Sequence, residues 1–423
     1  MKKKFLFVAT LFACSFSFAQ ETTTTASEKD FVKENMEFAA KQYGILLSDI
    51  QGQPGLPYSG NGKDKPYLEA SSLWTAGFFP GSLWYLSDYL KDENLQKAAL
   101  KYTQMMESSK SFTDNHDIGF MMYCSYGNAN RFAPQKEYEE ILAESARSLS
   151  TRFRPKAGVI QSWNFFKSWH GDKVYDFPVI IDNMMNLELL FHVSEVSGDD
   201  RYRKIALSHA EKVMKNQVRK DYSCFHIVYY DPETGLPIKG ETSQGYADNS
   251  SWSRGQAWGI YGFTMVYRYT QDKRFLHVAQ KMADFYLDHP NLPADKVAWW
   301  DFNAYQEGYT PGIRSNANRV TTNYRDASAA ACVSSALLEL STYCKGTQKA
   351  KYLEGAKQIL HTLGSPKFRA PLGQNSDFIL MHNVGSIPHN NEIDVPLSYA
   401  DYYFIEALHR YNRYLNKQTM ELK

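Results

Sequence analysis

Asp92-Glu93-Asn94-Leu95-Gln96-Lys97-Ala98-Ala99, Asp199-Asp200-Arg201-Tyr202-Arg203-Lys204-Ile205-Ala206 and Asp272-Lys273-Arg274-Phe275-Leu276-His277-Val278-Ala279 are three copies of one pattern. Each begins with an aspartate suited to cap a helix, followed by a large apolar residue and, four further on, an alanine on the same helical face. A helical segment precedes each copy, so each marks a tight turn from one helix into an antiparallel partner. Thr347 to Ala356 reads as a looser fourth copy. Repeated hairpins with few strands and no linker predict an all-α toroid of helix pairs. An open helical solenoid is the alternative, but the repeat spacing is irregular and the connecting segments are long.

Apolar residues recur at helical spacing in Asn183 to Phe191, Trp258 to Tyr269, Ala329 to Leu340 and Tyr402 to Leu415. The best strand candidate is Cys224 to Tyr230, closed by the turn Asp231-Pro232-Glu233-Thr234-Gly235. Gly, Pro, Trp and His concentrate in the connections 52–77, 114–119, 221–255 and 299–326. Long chemically rich loops in a compact domain are where function sits, so a site is expected at one mouth of the toroid.

Met1-Lys2-Lys3-Lys4, the apolar run Phe5 to Phe18 and the small-x-small Ser17-Phe18-Ala19 read as a secretory leader over residues 1–19. Leu11-Phe12-Ala13-Cys14 is a weaker lipoprotein reading with Cys14 as the anchor. Export to the periplasm is expected, with lipid anchoring second. Residues 20–29 read as a disordered lead-in and 30–423 as one catalytic domain. The formal charge of +1, with no long run of one sign, gives no support to a nucleic-acid partner. Aromatic residues make up 15% of the chain, enough to fill a core and still line a sugar-binding cleft. Cys124, Cys224, Cys332 and Cys344 show no metal-ligand spacing and read as buried thiols. No cofactor or metal is expected.

Two carboxylates stand out. Asp117 lies in Asn115-His116-Asp117-Ile118-Gly119-Phe120, and Asp182 in Val179-Ile180-Ile181-Asp182-Asn183-Met184-Met185. Burial among apolar side chains would raise either pKa and make an acid catalyst; a helix cap at the same position would lower it. Asp248, in a Gly/Asn/Ser loop, has a weaker case. In Ser250-Ser251-Trp252-Ser253-Arg254-Gly255-Gln256-Ala257-Trp258, an arginine able to grip a carboxylate shares a helical face with Trp258. Its alternative is an ion pair beside core tryptophans. Trp74-Thr75-Ala76-Gly77-Phe78 is a second aromatic cluster at a helix start. His226 alternates with apolar neighbours and points either to a cavity or to the core.

These segments, in this order from about Trp74 to Arg410, resemble glycoside hydrolase family 88, the unsaturated glucuronyl hydrolases. The landmarks are Trp74-Thr75-x-Gly77-Phe78, His116-Asp117-Ile118-Gly119-Phe120, Ile181-Asp182-x-x-x-Asn186-Leu187, Gln244-Gly245, Trp252-x-Arg254-Gly255-Gln256-Ala257-Trp258, Trp300-Asp301-Phe302, Arg325-Asp326-x-Ser328-Ala329 and Asp401-Tyr402-Tyr403. The resemblance implies an (α/α)6 barrel acting on the unsaturated uronic acid that a polysaccharide lyase leaves on an oligosaccharide. It implies that Asp182 protonates C4 of the C4=C5 bond and helps water attack C5, with Asp117 as the second carboxylate. His226, Gln244 and Arg254 match residues of the uronate subsite, and Trp74, Phe78, Trp252 and Trp258 match its aromatic walls.

One departure bears on the substrate. Family members that accept sulfated glycosaminoglycan disaccharides tend to carry a Ser-x-x-Ser-x-Lys stretch, where this chain has Asn383-Val384-Gly385-Ser386-Ile387-Pro388. The cation for a 6-sulfate is missing, which leaves a uronyl-rhamnose unit of the ulvan type or a less sulfated glycosaminoglycan unit. A conventional two-carboxylate glycosidase and a non-catalytic glycan-binding barrel are the competing readings. No obligate protein partner is evident.

Overall fold

The structure, a computed structural model, describes residues 6–420, with side chains from residue 25 onward. The leader expected over residues 1–19 lies outside the residues whose side chains are described. Thirteen helices follow one another: α1 (Leu6–Asp49), α2 (Phe78–Leu90), α3 (Glu93–Gln104), α4 (Ile118–Met122), α5 (Asn128–Phe132), α6 (Lys136–Ser150), α7 (Asn183–Ser197), α8 (Asp200–Asn216), α9 (Ser253–Thr270), α10 (Lys273–Asp288), α11 (Ala327–Thr342), α12 (Gly346–Leu363) and α13 (Ser398–Leu415). A π-turn, Tyr123–Gly127, joins α4 and α5 into one bent helix. Among the described residues no helix is long and apolar enough to cross a membrane.

The architecture is an (α/α)6 barrel. Six inner helices close a ring in the order α2, α4–α5, α7, α9, α11, α13, with α13 packing back on α2. The outer helices α3, α6, α8, α10, α12 and α1 pack against them. The burial pattern separates the two layers. In α3 only Leu95, Ala99, Tyr102 and Thr103 are buried, a single stripe, whereas in α11 every residue from Ala327 to Ser341 is buried. A helix apolar all round has partners on every side, as an inner helix does.

The expected hairpin turns form as read. Asp92 accepts from the Asn94 and Leu95 amides, Asp199 from Arg201 and Asp272 from Arg274. The residue before each, Lys91, Gly198 and Gln271, is left-handed (φ 55°, 73° and 56°), ending the inner helix as the aspartate starts the outer one. The fourth copy differs. Here α12 starts at Gly346, also left-handed, with Lys345 at the cap position and no side-chain cap; Tyr352 and Ala356 still supply the buried face. The disordered lead-in expected over 20–29 is corrected at its end: Glu28 is held in α1 by Lys357 and His361 of α12.

Strands are few and sit at the mouth. β1 (Pro178–Ile180), β2 (Ile227–Tyr230) and β3 (Pro237–Glu241) form one antiparallel sheet with Val179 opposite Val228 and Val228 opposite Gly240. β4 (Asn383–Ser386) and β5 (Asn391–Val395) form a separate hairpin. The strand expected from Cys224 starts three residues later, because Cys224 pairs with Val218 and the Phe225 amide donates to Gln217 O.

Inside the ring, four inner helices share one buried ion network. Arg268 reaches Glu188 at 2.6 Å and Glu339 at 2.8 Å; Arg410 reaches Glu339 at 2.6 Å and Glu406 at 3.0 Å. Tyr261 and Ser335 hydroxyls donate to Glu406 at 2.9 and 2.6 Å. Burial pushes the Glu339 carboxyl up, but the two guanidiniums outweigh it and hold it down at about 2 against an ordinary 4.5. Its stabilising share is therefore present above pH 4.5 and is lost as the pH falls toward 2. Glu339→Gln leaves two buried guanidiniums short of an anion and should cost about 3–5 kcal/mol. Denaturant unfolding at neutral pH measures this loss; a cost near zero would mean that the network does not hold the ring.

Candidate active site

All six inner helices start at the same end of the barrel, because every tight turn is spent at their other end. β1 runs into that mouth and delivers Asp182 to the start of α7. The Ile181 amide donates to His226 O at 2.9 Å, so the sheet sets His226 beside Asp182. On the other side, Arg152 fixes two loops at once. Its Nε donates to Gln161 O and its Nη1 to Thr113 O and Asp114 O, tying the approach to Asp117 to the segment that carries Trp163.

Between these loops lies a cavity of about 700 Å³, lined by Trp74, Asp117, Trp163, Phe165, Phe166, Ile180, Asp182, Ser243, Gln244, Arg254, Ser386, His389, Asn390 and Asn391. That is ample for a disaccharide-sized ligand. A separate enclosed void of about 30 Å³ beside Glu188, Tyr261 and Arg410 has room only for about one water.

The two readings of the carboxylates separate here. Asp117 and Asp182 both occupy N-cap positions, of α4 and α7, and neither side chain caps its helix. Both face the cavity instead. Burial, followed by the charge of Asp182, pushes the Asp117 carboxyl from an ordinary 3.8 up to about 8, and Arg152 opposes the shift. Asp117 therefore holds a proton at neutral pH. Asp182 Oδ1 lies 3.5 Å from His226 Nε2, and Asp117 Oδ1 lies 3.4 Å from His116 Nε2. These separations are long for hydrogen bonds, as catalytic contacts often are before a ligand closes them.

His226 is oriented from behind. Its Nδ1 accepts from the Ser243 and Gln244 amides at 3.1 and 3.0 Å, so the neutral ring carries its proton on Nε2, toward Asp182. Burial keeps the ring neutral by lowering its pKa, against the pull of Asp182. Arg254 lines the cavity but is already engaged. Its Nη1 binds Asp326 at 2.9 Å and also Val384 O, and its Nη2 binds Gly385 O at 2.6 Å. These bonds make it a clasp joining α9, the start of α11 and the β4 strand, while its buried Nε has no protein partner. Gln244 lines the cavity and donates to Gly385 O at 3.1 Å, bracing the same strand.

The aromatic expectations divide by layer. Trp74 lines the cavity. Phe78, fully buried, packs behind it against Phe120, Tyr399, Tyr402 and Tyr403. Trp258 packs on Phe120 and Tyr403, and Trp252 stacks on the Arg254 guanidinium and the His226 ring. These three support the wall and do not form it. Asp248 accepts from the Thr242 amide and pairs with His170 at 2.9 Å, outside the cavity. His170, Glu241 and Asp248 come close enough to suggest a cation site, but the Lys239 ammonium, Ser168 and Tyr229 already satisfy Glu241. The cysteines Cys124, Cys224, Cys332 and Cys344 are all free thiols.

The family model for Glycosyl Hydrolase Family 88 matches residues 60–367. The chain belongs to glycosyl hydrolase family 88. It is 41% identical to an unsaturated glucuronyl hydrolase of Formosa agariphila, over 94% of this chain and 95% of that one. To an unsaturated glucuronyl hydrolase of Bacillus sp. (strain GL1) it is 34% identical, over 84% and 91%. The crystal structure of an unsaturated glucuronyl hydrolase specific for heparin superposes with a TM-score of 0.82 at 42% identity, covering 93% of this chain and 99% of that one.

Within this family 88 hydrolase the site also uses residues that sequence reasoning passed over. Trp163, Phe165 and Phe166 form a wall from the connection between α6 and α7, whose signal was the run Ser162-Trp163-Asn164-Phe165-Phe166. Ser243 lines the cavity with a buried hydroxyl that has no protein partner, a ready contact for a ligand oxygen. Because Asp117 is the protonated carboxyl, kcat should fall as the pH rises through about 8. A kcat that stays flat to well above that value would show that the Asp117 proton is not needed.

Proposed function

We propose that this hydrolase removes the 4,5-unsaturated uronic acid from the non-reducing end of lyase-generated oligosaccharides by hydrating its double bond. Two buried carboxyls, one holding its proton near neutrality and both turned away from their own helices into a sugar-sized cavity, carry this reading. The single proton of the Asp117–Asp182 pair, resting on Asp117 in the free site, passes to Asp182 as the ligand binds, and Asp182 gives it to C4. Positive charge grows at C5 and the ring oxygen, and the Asp117 carboxylate, ionised once its proton has moved on, offsets it. Water adds its oxygen to C5 and returns a proton to Asp182. The resulting hemiketal opens, the C1 hemiacetal expels the partner sugar as an alcohol, and an open-chain keto acid remains. His226 Nε2 faces Oδ1 of Asp182 at 3.5 Å and leaves Oδ2 for the ligand. The converging helix starts favour the anionic uronate.

The partner sugar sits, in this reading, between the Phe165 face and the β4–β5 turn. Phe165 is 63% exposed and lines the cavity, where its ring face is open to a sugar. His389 is the basic side chain at this end, and burial, then His226, pushes its pKa down to about 4, so it offers no cation at neutral pH. Arg254 gives three of its five N–H groups to Asp326 and β4. The described lining residues hold no lysine and no arginine besides Arg254, which favours a second sugar without a 6-sulfate, such as the rhamnose of an ulvan-type unit or an unsulfated amino sugar. Such a substrate is the product of a polysaccharide lyase, and the leader read in residues 1–19 supports an exported enzyme acting after it.

The test is loss of enoate ultraviolet absorbance on lyase digests of ulvan, unsulfated chondroitin, chondroitin 6-sulfate, heparin and gellan. Ulvan and unsulfated digests should turn over at least about tenfold faster, by kcat/KM, than the 6-sulfated one, a difference of about 1.4 kcal/mol. Asp182→Asn and Asp117→Asn should each lower kcat by at least about a hundredfold. Turnover of saturated glycosides at comparable rates would instead indicate a conventional glycosidase.

A further inference from the structure

A relay of side chains connects the backbone of α4 to the back of Asp117. The Phe120 amide donates to Asn186 Oδ1 at 2.7 Å, which leaves Asn186 Nδ2 facing His116 Nδ1 at 3.1 Å. An amide nitrogen has only protons to offer, so His116 Nδ1 must accept, and the neutral ring carries its proton on Nε2. At that end stand Asp117 Oδ1, 3.4 Å away, and the side chain of Asn183. Asn183 spends its N–H on Ile160 O and so presents an oxygen. Both neighbours therefore suit a donor. The ring is fully buried, and burial lowers its pKa to about 3; Asp182, Arg152, His226 and His209 are the other titratable groups around it. The relay depends on close approach. A Cβ on Gly119 would fall 2.5 Å from Asn186 Cα and Oδ1, so only glycine lets α7 bring Asn186 against α4.

We infer that His116 is a positioning residue: held by Phe120 and Asn186, it directs Nε2–H at Asp117 Oδ1 and confines the proton of that carboxyl to Oδ2, the oxygen left for the substrate. The inference rests on the reading of Asp117 as half of the reacting pair.

Two substitutions separate the roles. His116→Gln keeps an uncharged N–H donor toward Asp117 and an oxygen toward Asn186, whereas His116→Leu fills the space and keeps neither. On the lyase digest that the wild type turns over, Leu should lower kcat about a hundredfold with KM within about threefold, and Gln should stay within about tenfold of wild type. The basic limb of the kcat profile should move to higher pH in the Leu variant, because the Asp117 carboxylate has lost a donor, and should hold in the Gln variant. Equal activity in the two variants overturns the inference: both near wild type means space filling, and both inactive means that the ring itself must titrate.

A direct readout does not depend on turnover. In the full chain labelled with ¹⁵N-histidine, with His116 assigned by its loss in His116→Gln, the wild type should show the neutral Nε2–H form from pH 6 to about 8. Asn186→Asp still accepts from Phe120 but can only accept from His116, and should move the proton to Nδ1. A wild-type ring protonated on Nδ1 sinks the inference even if the variants fail to fold. If Asp117→Asn retains full turnover, the site reading itself is wrong. If Asp117→Asn is inactive while His116→Leu is unimpaired, only the relay is wrong.

Discussion

The structure depends on one topological constraint: each of the first five inner helices hands over to its outer partner at the same end, and α13 closes the ring against α1 and α2. The Lys91–Asp92, Gly198–Asp199 and Gln271–Asp272 junctions accomplish this in two residues, one left-handed and one capping. What remains for the other end is all the long connections and all six inner helix starts. Trp74, Asp117, Asp182, Arg254 and Tyr399 lie within a few residues of five of those starts. The same turns that close the barrel therefore gather its polar and aromatic loops around one basin lined with helix N-termini.

Stability and chemistry are separated along the barrel axis. Deep in the ring, Arg268, Arg410, Glu188, Glu339 and Glu406 pair with one another, each charge with a partner within about 3 Å and only Arg410 Nε among them left without a hydrogen bond. At the mouth the polar atoms are left short. Asp182 Oδ1, His116 Nε2, His226 Nε2, Ser243 Oγ and Arg254 Nε are buried with no hydrogen bond formed. Buried groups without partners are costly in a folded chain and persist where something else is meant to meet them. Arg254 stands at the border of the two regimes, a structural clasp whose bond to Gly385 O also sets the cavity wall.

The hairpin turns were legible in the sequence because capping and burial act within eight residues and recur. The strand next to His226 and the inner helices were legible for the same reason, as local periodicity. The roles within the site were not. An inner helix is buried on all sides, so spacing alone cannot tell which face meets the cavity and which meets the next helix. That is why Phe78, Trp252 and Trp258, expected as walls, stand one layer back. The Trp163–Phe166 wall lies on an irregular connection with no period to read. The contact between His116 and Asn186 joins residues on different helices, and nothing local announces it.

Aspartate at a helix start has two fates in this chain, and the difference between them is the function. Asp92, Asp199, Asp272 and Asp326 turn back onto their own amides; Asp117 and Asp182 occupy the same kind of position and do not. The helix dipole still favours an ionised carboxylate there, by about 0.3–1 kcal/mol at exposed sites and up to about 2 kcal/mol in partly buried ones. A shift from 3.8 to about 8 at Asp117 corresponds to several kcal/mol in the opposite direction. Burial therefore outweighs the dipole once the carboxyl gives up its cap bonds. A proton kept at the start of a helix, where charge would ordinarily be welcome, is maintained by burial in the cavity wall and by the charge of Asp182 beside it.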